Sequence, residues 1–503
     1  MDKQIPLKVV VGGEMYESAP KVYSREISGR FQNLRLLAVW VLLGLYYVMP
    51  WLNWGGRQAV LFDLPARKFY VLGLSFWPQD FVYLALLLII AAFALFFFTA
   101  IAGRLWCGYA CPQTVWTEVF IAMERWCEGD RGRQMKLDAA PWSRAKLLRK
   151  GAKHTLWIVF ALWTGFTFVG FFTPVRVLAD EVATLTLGGW EWFWILFYAL
   201  ATWGNAGFLR EQVCTYMCPY ARFQGAMFDR DTLVIAYDVE RGEPRGARRK
   251  GTPSVLDAGA GKAPLSQGGD PSSPTMDGGC GDNLMARSSA PKQMVQSGQS
   301  LGDCIDCTIC VQVCPTGTDI RNGLQYECIA CGACIDACDG VMDRMGYPRG
   351  LVRYATLNTL ERKPAQLLRP RVVIYGLILL ALCAGFAWSV LTRTPLIVDV
   401  LRDRNALYRV LADGAIENVY TFKIVNKDVQ AHRYRILVHS ATPLTLAGGA
   451  GEIEVAAEGV ASVPVAVQAS AGSVRGMQEI EFEVQALDAE MKRRQKSRFF
   501  GPL

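Results

Sequence analysis

Cys304-Ile305-Asp306-Cys307-Thr308-Ile309-Cys310-Val311-Gln312-Val313-Cys314-Pro315 is followed by Cys328-Ile329-Ala330-Cys331-Gly332-Ala333-Cys334-Ile335-Asp336-Ala337-Cys338-Asp339. Both stretches read C-x2-C-x2-C-x3-C, the ligand run of bacterial iron–sulfur proteins, and the first carries the proline that ends such a run. Each run supplies three thiolates to one cubane and its fourth to the neighbouring one. The spacing therefore predicts two [4Fe–4S] clusters, one on Cys304, Cys307, Cys310 and Cys338, the other on Cys328, Cys331, Cys334 and Cys314. Zinc sites use paired C-x2-C knuckles and disulfide frameworks use irregular spacings, so two complete four-cysteine runs argue against both. Two clusters side by side pass single electrons.

The rest of the 503 residues indicates where those electrons move. Hydrophobic residues make up 52% and charged residues 19%, with a mean hydropathy of +0.19. These values suit a membrane protein with sizeable soluble parts. Apolar stretches at 35–53, 81–101, 155–173, 189–205 and 371–391 each approach the ~20 residues a helix needs to cross a bilayer. The fourth opens on Trp190, Trp192, Phe193 and Trp194, which suits an interfacial start.

Basic residues set the expected orientation. Lys3, Lys8, Lys21, Arg25, Arg30 and Arg35 precede the first stretch. Arg104, Arg125, Arg131, Arg133, Lys136, Arg144, Lys146, Arg149, Lys150 and Lys153 lie between the second and third. The loop before the fourth has only Arg176, against Asp180 and Glu181. The positive-inside rule then puts the N-terminus in the cytoplasm, although Arg57, Arg67 and Lys68 argue weakly the other way. With five spans, 206–370 is cytoplasmic and the tail lies outside. A basic stretch too long for a signal-peptide n-region comes first, so no cleavable signal is expected. The net charge of +8 needs no nucleic-acid partner, because the cytoplasmic loops account for it. Reduced thiols belong on the cytoplasmic side, and all 15 cysteines precede the tail.

A second cysteine pattern is duplicated. Cys107-Gly108-Tyr109-Ala110-Cys111-Pro112 and Cys214-Thr215-Tyr216-Met217-Cys218-Pro219 both read C-x-Y-x-C-P. Each follows an apolar hairpin and an arginine, which reads as two parallel repeats with their motifs at one membrane face. Pro112 and Pro219 push Cys111 and Cys218 out of the helical region and are good first residues of a new helix. A helix N-terminus lowers a thiol's pKa, so thiolate is expected there. Four thiols gathered at one boundary suit soft ions, Cu(I) above all and zinc also. Cys127, Cys280 and Cys383 stand apart and read as incidental.

Residues 231–300 turn rich in Gly, Ser, Pro and Ala and read as a flexible linker. Alternating segments such as Tyr434-Arg435-Ile436-Leu437-Val438 and Ile480-Glu481-Phe482-Glu483-Val484 predict an immunoglobulin-type sandwich over 395–503. His432 and His439 lie there and read as surface strand residues rather than metal ligands. The expected fold class is a polytopic α-helical membrane protein with a two-cluster ferredoxin-like cytoplasmic module and a C-terminal immunoglobulin-like β-sandwich. Its expected parts are a cytoplasmic segment (1–34), a four-helix membrane domain of two repeats (35–230), the linker (231–300), the cluster module (301–350), a fifth span (371–391) and the sandwich.

Several stretches carry a family resemblance. They are Gly55-Gly56-Arg57-Gln58-Ala59-Val60, Trp106 to Glu118, Asn205 to Cys214, Cys218-Pro219-Tyr220-Ala221-Arg222-Phe223-Gln224, Gly346-Tyr347-Pro348-Arg349-Gly350 and Val398 to Asn405. Together they resemble cytochrome c oxidase accessory proteins of the FixG/RdxA/CcoG family over nearly the whole chain, with a longer linker around Cys280. The resemblance implies a bacterial inner-membrane protein with a periplasmic tail that reduces Cu(II) to Cu(I) for cbb3-type oxidase assembly. Cys107, Cys111, Cys214 and Cys218 would then be both the catalytic and the copper-handling residues. Expected partners are copper ions, oxidase assembly factors or a copper transporter, membrane lipid and an electron donor that no nucleotide-binding fingerprint identifies. Two alternatives stay open, a quinol dehydrogenase subunit feeding a periplasmic reductase and a copper-binding chaperone whose clusters are structural.

Overall fold

The computed structural model describes residues 21–248, 250, 254–258, 301–325, 327–366, 368–403, 406–448 and 451–502. Cys280 and most of the expected linker lie outside the described residues, as do residues 1–20, Arg404 and Asn405. The chain divides into two compact units. The first comprises 1–50, 91–170 and 175–379, and the second 51–90, 171–174 and 380–503.

In chain order the main helices are α1 (Arg30–Val48), α2 (Phe81–Ala102), α3 (Leu105–Tyr109), α4 (Pro112–Glu128), α5 (Arg131–Ala139), α6 (Arg144–Val169), α7 (Val175–Thr184), α8 (Gly189–Thr202), α9 (Pro219–Met227), α10 (Ala333–Met345) and α11 (Pro370–Leu391). Among the described residues, three helical segments are long and apolar enough to cross a membrane: Arg30–Trp51, Pro78–Ala102 and Pro370–Leu391. The third and fourth of the five expected spans do not reach that standard. α6 spends its first turns on Arg144, Lys146, Arg149, Lys150 and Lys153. α8 has only 14 residues before it widens into a π-helical turn at Trp203–Leu209. They still form a hairpin with a greasy outer surface, on which Ile158, Val159, Trp163, Phe193, Leu196 and Leu200 are exposed.

Several basic residues assigned to solvent-facing loops are buried instead, namely Arg35, Arg104, Lys146 and Lys153. Buried charge needs partners. Glu124 supplies one for Lys153 at the centre of the first unit, accepting from Arg210 at 2.7 Å, Lys21 at 2.9 Å and Lys153 at 3.4 Å. Lys153 also reaches Glu128 at 2.8 Å. Burial alone would raise the Glu124 carboxyl, but Arg210 and Lys21 outweigh it and hold the pKa at about 2. This network ties the chain before α1 to α4, α6 and the turn after α8.

The cluster-bearing module also belongs to the first unit. α1 begins after Gly29, which offers no side-chain cap. Asp336 of α10 caps it from outside, accepting from the Gln32 N–H at 2.8 Å and the Phe31 N–H at 3.2 Å, which satisfies two of the donors a helix start leaves open. Residues 231–248, expected in the linker, are part of this module. Val234–Tyr237 pairs antiparallel with Val352–Ala355, and buried Arg241 meets buried Asp303 at 2.7 Å. A partner sixty residues away is invisible to local composition, which is why the stretch reads as loose.

In the second unit, Val60–Asp63, Lys68–Val71 and Leu74–Phe76 form a three-stranded antiparallel sheet. The tail is a sandwich of β1 (Leu396–Arg402), β2 (Ile416–Asn426), β3 (His432–Ser440), β4 (Leu444–Ala447), β5 (Ile453–Val455), β6 (Val460–Ala469), β7 (Met477–Ala486) and β8 (Lys492–Phe500). One sheet runs β4-β6-β2-β1, with Arg409–Val410 beside β2, and the other runs β5-β3-β7-β8. Alternate residues of β2, β3 and β7 point inward, and Tyr420, Phe422, Tyr434 and Phe482 are fully buried between the sheets. Each such side chain contributes roughly 1.5–3 kcal/mol on leaving water.

His432 is not a surface residue. It is 5% exposed, its Nδ1 lying 2.9 Å from Asp488 and its Nε2 3.2 Å from Asp428. Burial would lower its pKa, but the two carboxylates outweigh burial and raise it above 6.5. A raised folded-state pKa stabilises the domain fully below about 6.5 and stops doing so as pH climbs through the folded value. We therefore expect amide hydrogen exchange in β3 to accelerate between pH 6 and 8 beyond its intrinsic pH dependence. His432→Asn should abolish that excess, and an unchanged excess in this variant would remove the histidine as its cause.

Candidate electron-transfer site

The first run folds so that Cys304, Cys307, Cys310 and Cys338 line one cavity, closed by Tyr237, Ile309, Val341, Met342 and Leu351. Cys338 sits one turn after Cys334 on α10, so the helix carries the fourth thiol back to the first run. After burial, Cys338 is raised by Cys310, Cys304 and Cys307. Cys328 and Cys331 feel Cys314 instead, and Cys334 feels Cys331, Cys328, Cys314 and, least of these, Cys310. Cys338 thus stands with the first run at one cavity, and Cys314 is a neighbour of the second run. Burial pushes Cys310, Cys328 and Cys338 up to about 12 and raises Cys331 and Cys334 as well. Metal loading must therefore displace protons. Four cysteines around an apolar-walled cavity fit a thiolate-ligated cubane. No disulfide competes for them.

The duplicated motif behaves as its prolines require. Cys111 is extended (φ −63°, ψ 129°) and α4 starts at Pro112. Cys218 is extended (φ −83°, ψ 106°) and α9 starts at Pro219. Cys107 and Cys214 pack against one small core that contains Val313, Ile329, Cys331, Ala333 and Ala337 and is flanked by Cys334. The two repeats thus meet at the second cysteine set. Gly108 allows the approach, since a Cβ there would lie 2.7 Å from the Ile329 carbonyl oxygen and 3.0 Å from the Ala330 carbonyl oxygen and the Cys331 Cα. The Tyr109 hydroxyl donates to the Cys331 carbonyl at 3.2 Å.

Burial opposes the thiolate form at three of the four motif cysteines. Burial pushes Cys107 up to about 12 and Cys214 to about 11. Burial also raises Cys111, although the backbone N–H groups of Gln113 and Thr114 pull it down as a helix start should. At Cys111 the helix terminus supplies less than burial removes. Among the described residues, no three His, Cys, Asp or Glu side chains converge tightly enough to hold a single metal ion, so the four thiols are neighbours rather than a closed cage.

Two side chains not singled out in the sequence complete the site. Gln224 is fully buried and accepts from the Cys107 thiol at 3.3 Å. Arg104 is 4% exposed and donates to the Cys328 carbonyl at 3.3 Å and to the Ala221 carbonyl. Both lie within or beside the quoted motifs. Only the fold shows that they turn inward.

The three candidate membrane helices and the paired cysteine sets define a membrane-associated iron–sulfur electron-transfer protein. Comparison with known proteins narrows this. Residues 84–133 match a 4Fe-4S binding domain, 209–260 and 277–357 a 4Fe-4S dicluster domain, and 386–502 the IG-like fold at the C-terminal of FixG. Nitrogen fixation protein FixG of Rhizobium meliloti is 36% identical over 83% of this chain and 78% of its own. Protein RdxA of Cereibacter sphaeroides is 36% identical over 91% of each chain, and protein RdxB of the same organism 38% identical over 86% of this chain and 84% of its own. A crystal structure of a FixG-related protein from Vibrio parahaemolyticus is 29% identical, covers 22% of this chain and all of its own, and has a TM-score of 0.21. The chain belongs to the FixG/RdxA family.

Proposed function

We propose that this protein is a membrane cupric reductase that supplies Cu(I) for assembly of a cbb3-type oxidase. The observation that carries the reading is the packing of Cys107 and Cys214 against the core holding Cys331 and flanked by Cys334. Soft ligands stand directly beside an electron relay. Bound [4Fe–4S] clusters supply one-electron transfer, with Cys304, Cys307, Cys310 and Cys338 holding one and Cys314, Cys328, Cys331 and Cys334 the other. Cu(II) would take up one electron at the Cys107, Cys111, Cys214 and Cys218 thiols. Those thiols favour the product, because soft sulfur ligands select Cu(I). Loss of their protons on binding offsets part of that gain. Gln224 orients the Cys107 sulfur.

The basic-residue pattern puts the N-terminus and the cluster module on the cytoplasmic side of a bacterial inner membrane, with the sandwich in the periplasm. Replacing five spans by three leaves this parity unchanged, because α6 and α8 enter or leave the count as a pair. The exposed apolar faces of that hairpin suit lipid.

The test is anaerobic. The chemically reduced, cluster-loaded protein is mixed with Cu(II), and cluster reoxidation is followed by absorbance. One Cu(I) should form per electron lost. Reoxidation by quinone with none by Cu(II) would replace this reading by the quinone-linked one. Binding of copper without reoxidation would replace it by the chaperone.

A further inference from the structure

Most buried cations in the first unit are matched by carboxylates; among the described residues Lys146, whose ammonium donates to the Asp138 and Ala140 carbonyls, and Arg104 are exceptions. Arg35, beside the second cysteine set, pairs with Glu118 at 2.8 Å. Arg321, in the wall of the cavity at the first set, pairs with Asp319 at 2.8 Å. Arg210, which precedes the second C-x-Y-x-C-P motif, pairs with Glu124. Arg104, which precedes the first motif, is as buried as Arg35. It has no carboxylate within ion-pair distance among the described residues. Its two terminal nitrogens go to backbone carbonyls, one of them that of Cys328, and its Nε–H is buried with no acceptor.

An unpaired buried cation is costly, and an anion bound beside it would offset that cost. A cubane held by four thiolates is that anion, dianionic when oxidised and one charge more negative when reduced. We infer that Arg104, bonded to the Cys328 carbonyl, is the fixed counter-charge of the cluster held by Cys314, Cys328, Cys331 and Cys334. Its positive charge favours the extra electron, so it raises that cluster's reduction potential. The first cluster gains no such help, because Asp319 and Asp306 neutralise Arg321. Electrons are thereby biased toward the cluster beside the thiols. Arg104 is a positioning residue in this sense and touches no substrate.

The inference rests on the cluster assignment above, and potentiometric titration of the intact protein followed by EPR separates the two. Arg104→Gln keeps hydrogen-bond donors but removes the charge, whereas Arg104→Lys keeps the charge but loses the planar fork. One of the two midpoint potentials should fall in Arg104→Gln, the other should stay in place, and Arg104→Lys should return the first toward the parent value. EPR reports only assembled clusters, so the loaded fraction decides even where loading is incomplete. Two parent midpoints left unmoved by Arg104→Gln, or an Arg104→Lys value as low as the Gln value, would overturn the role of Arg104 alone. A parent protein with a single midpoint and half the iron would overturn the cluster assignment, and this inference with it.

Discussion

Cys338→Ser is expected to strip the cluster whose other ligands are Cys304, Cys307 and Cys310, leaving the cluster nearest its own run in place. Iron and acid-labile sulfide should fall by about half, since each of the two four-cysteine sets serves one cubane. The reason is geometric. α10 carries Cys334 and Cys338 a turn apart, and Cys338 lines the cavity with the first run while Cys334 does not and feels Cys331 and Cys328 before any other thiol. Alkylation followed by mass spectrometry reads the result directly. Cys304, Cys307 and Cys310 should become labelled while Cys328, Cys331 and Cys334 stay protected, and Cys314→Ser should give the reverse. Labelling of Cys328, Cys331 and Cys334 in the Cys338→Ser protein would mean that each run serves its own cluster and the crossing is wrong.

The second large effect concerns the four thiols. Cys107→Ser with Cys111→Ser, or Cys214→Ser with Cys218→Ser, should leave the iron–sulfur spectrum intact and slow Cu(II) reduction by roughly tenfold or more, because either remaining dithiol offers only two soft ligands. The structure adds a sharper comparison. Cys107 and Cys214 meet across the repeats at the core beside Cys331, so Cys107→Ser with Cys214→Ser should be the most damaging pair. Copper stoichiometry and reduction rate are measured at equal cluster content. Parent-like rates in all three double variants would place copper chemistry elsewhere and leave these cysteines as packing residues.

What the sequence determined by itself is what covalent spacing and local sterics determine. The two C-x2-C-x2-C-x3-C runs place their ligands within a few residues of one another, and the alternation of Tyr434 to Val438 or Ile480 to Val484 follows from a strand's two faces. Pro112 and Pro219 act on the residue before them, so extended Cys111 and Cys218 were also legible. Tertiary structure decided whatever depends on a distant neighbour. Arg241 reads as part of a charged linker until Asp303 buries it. Arg35, Lys153 and Arg104 read as loop charges until the fold encloses them. His432 reads as a strand residue until Asp428 and Asp488 close on its ring. Burial raises the Cys111 thiol against the expectation from its helix start, because a helix terminus is a short-range, partial charge whereas burial removes the water that would solvate a whole one. Burial is a property of the assembled chain, and no window of sequence contains it.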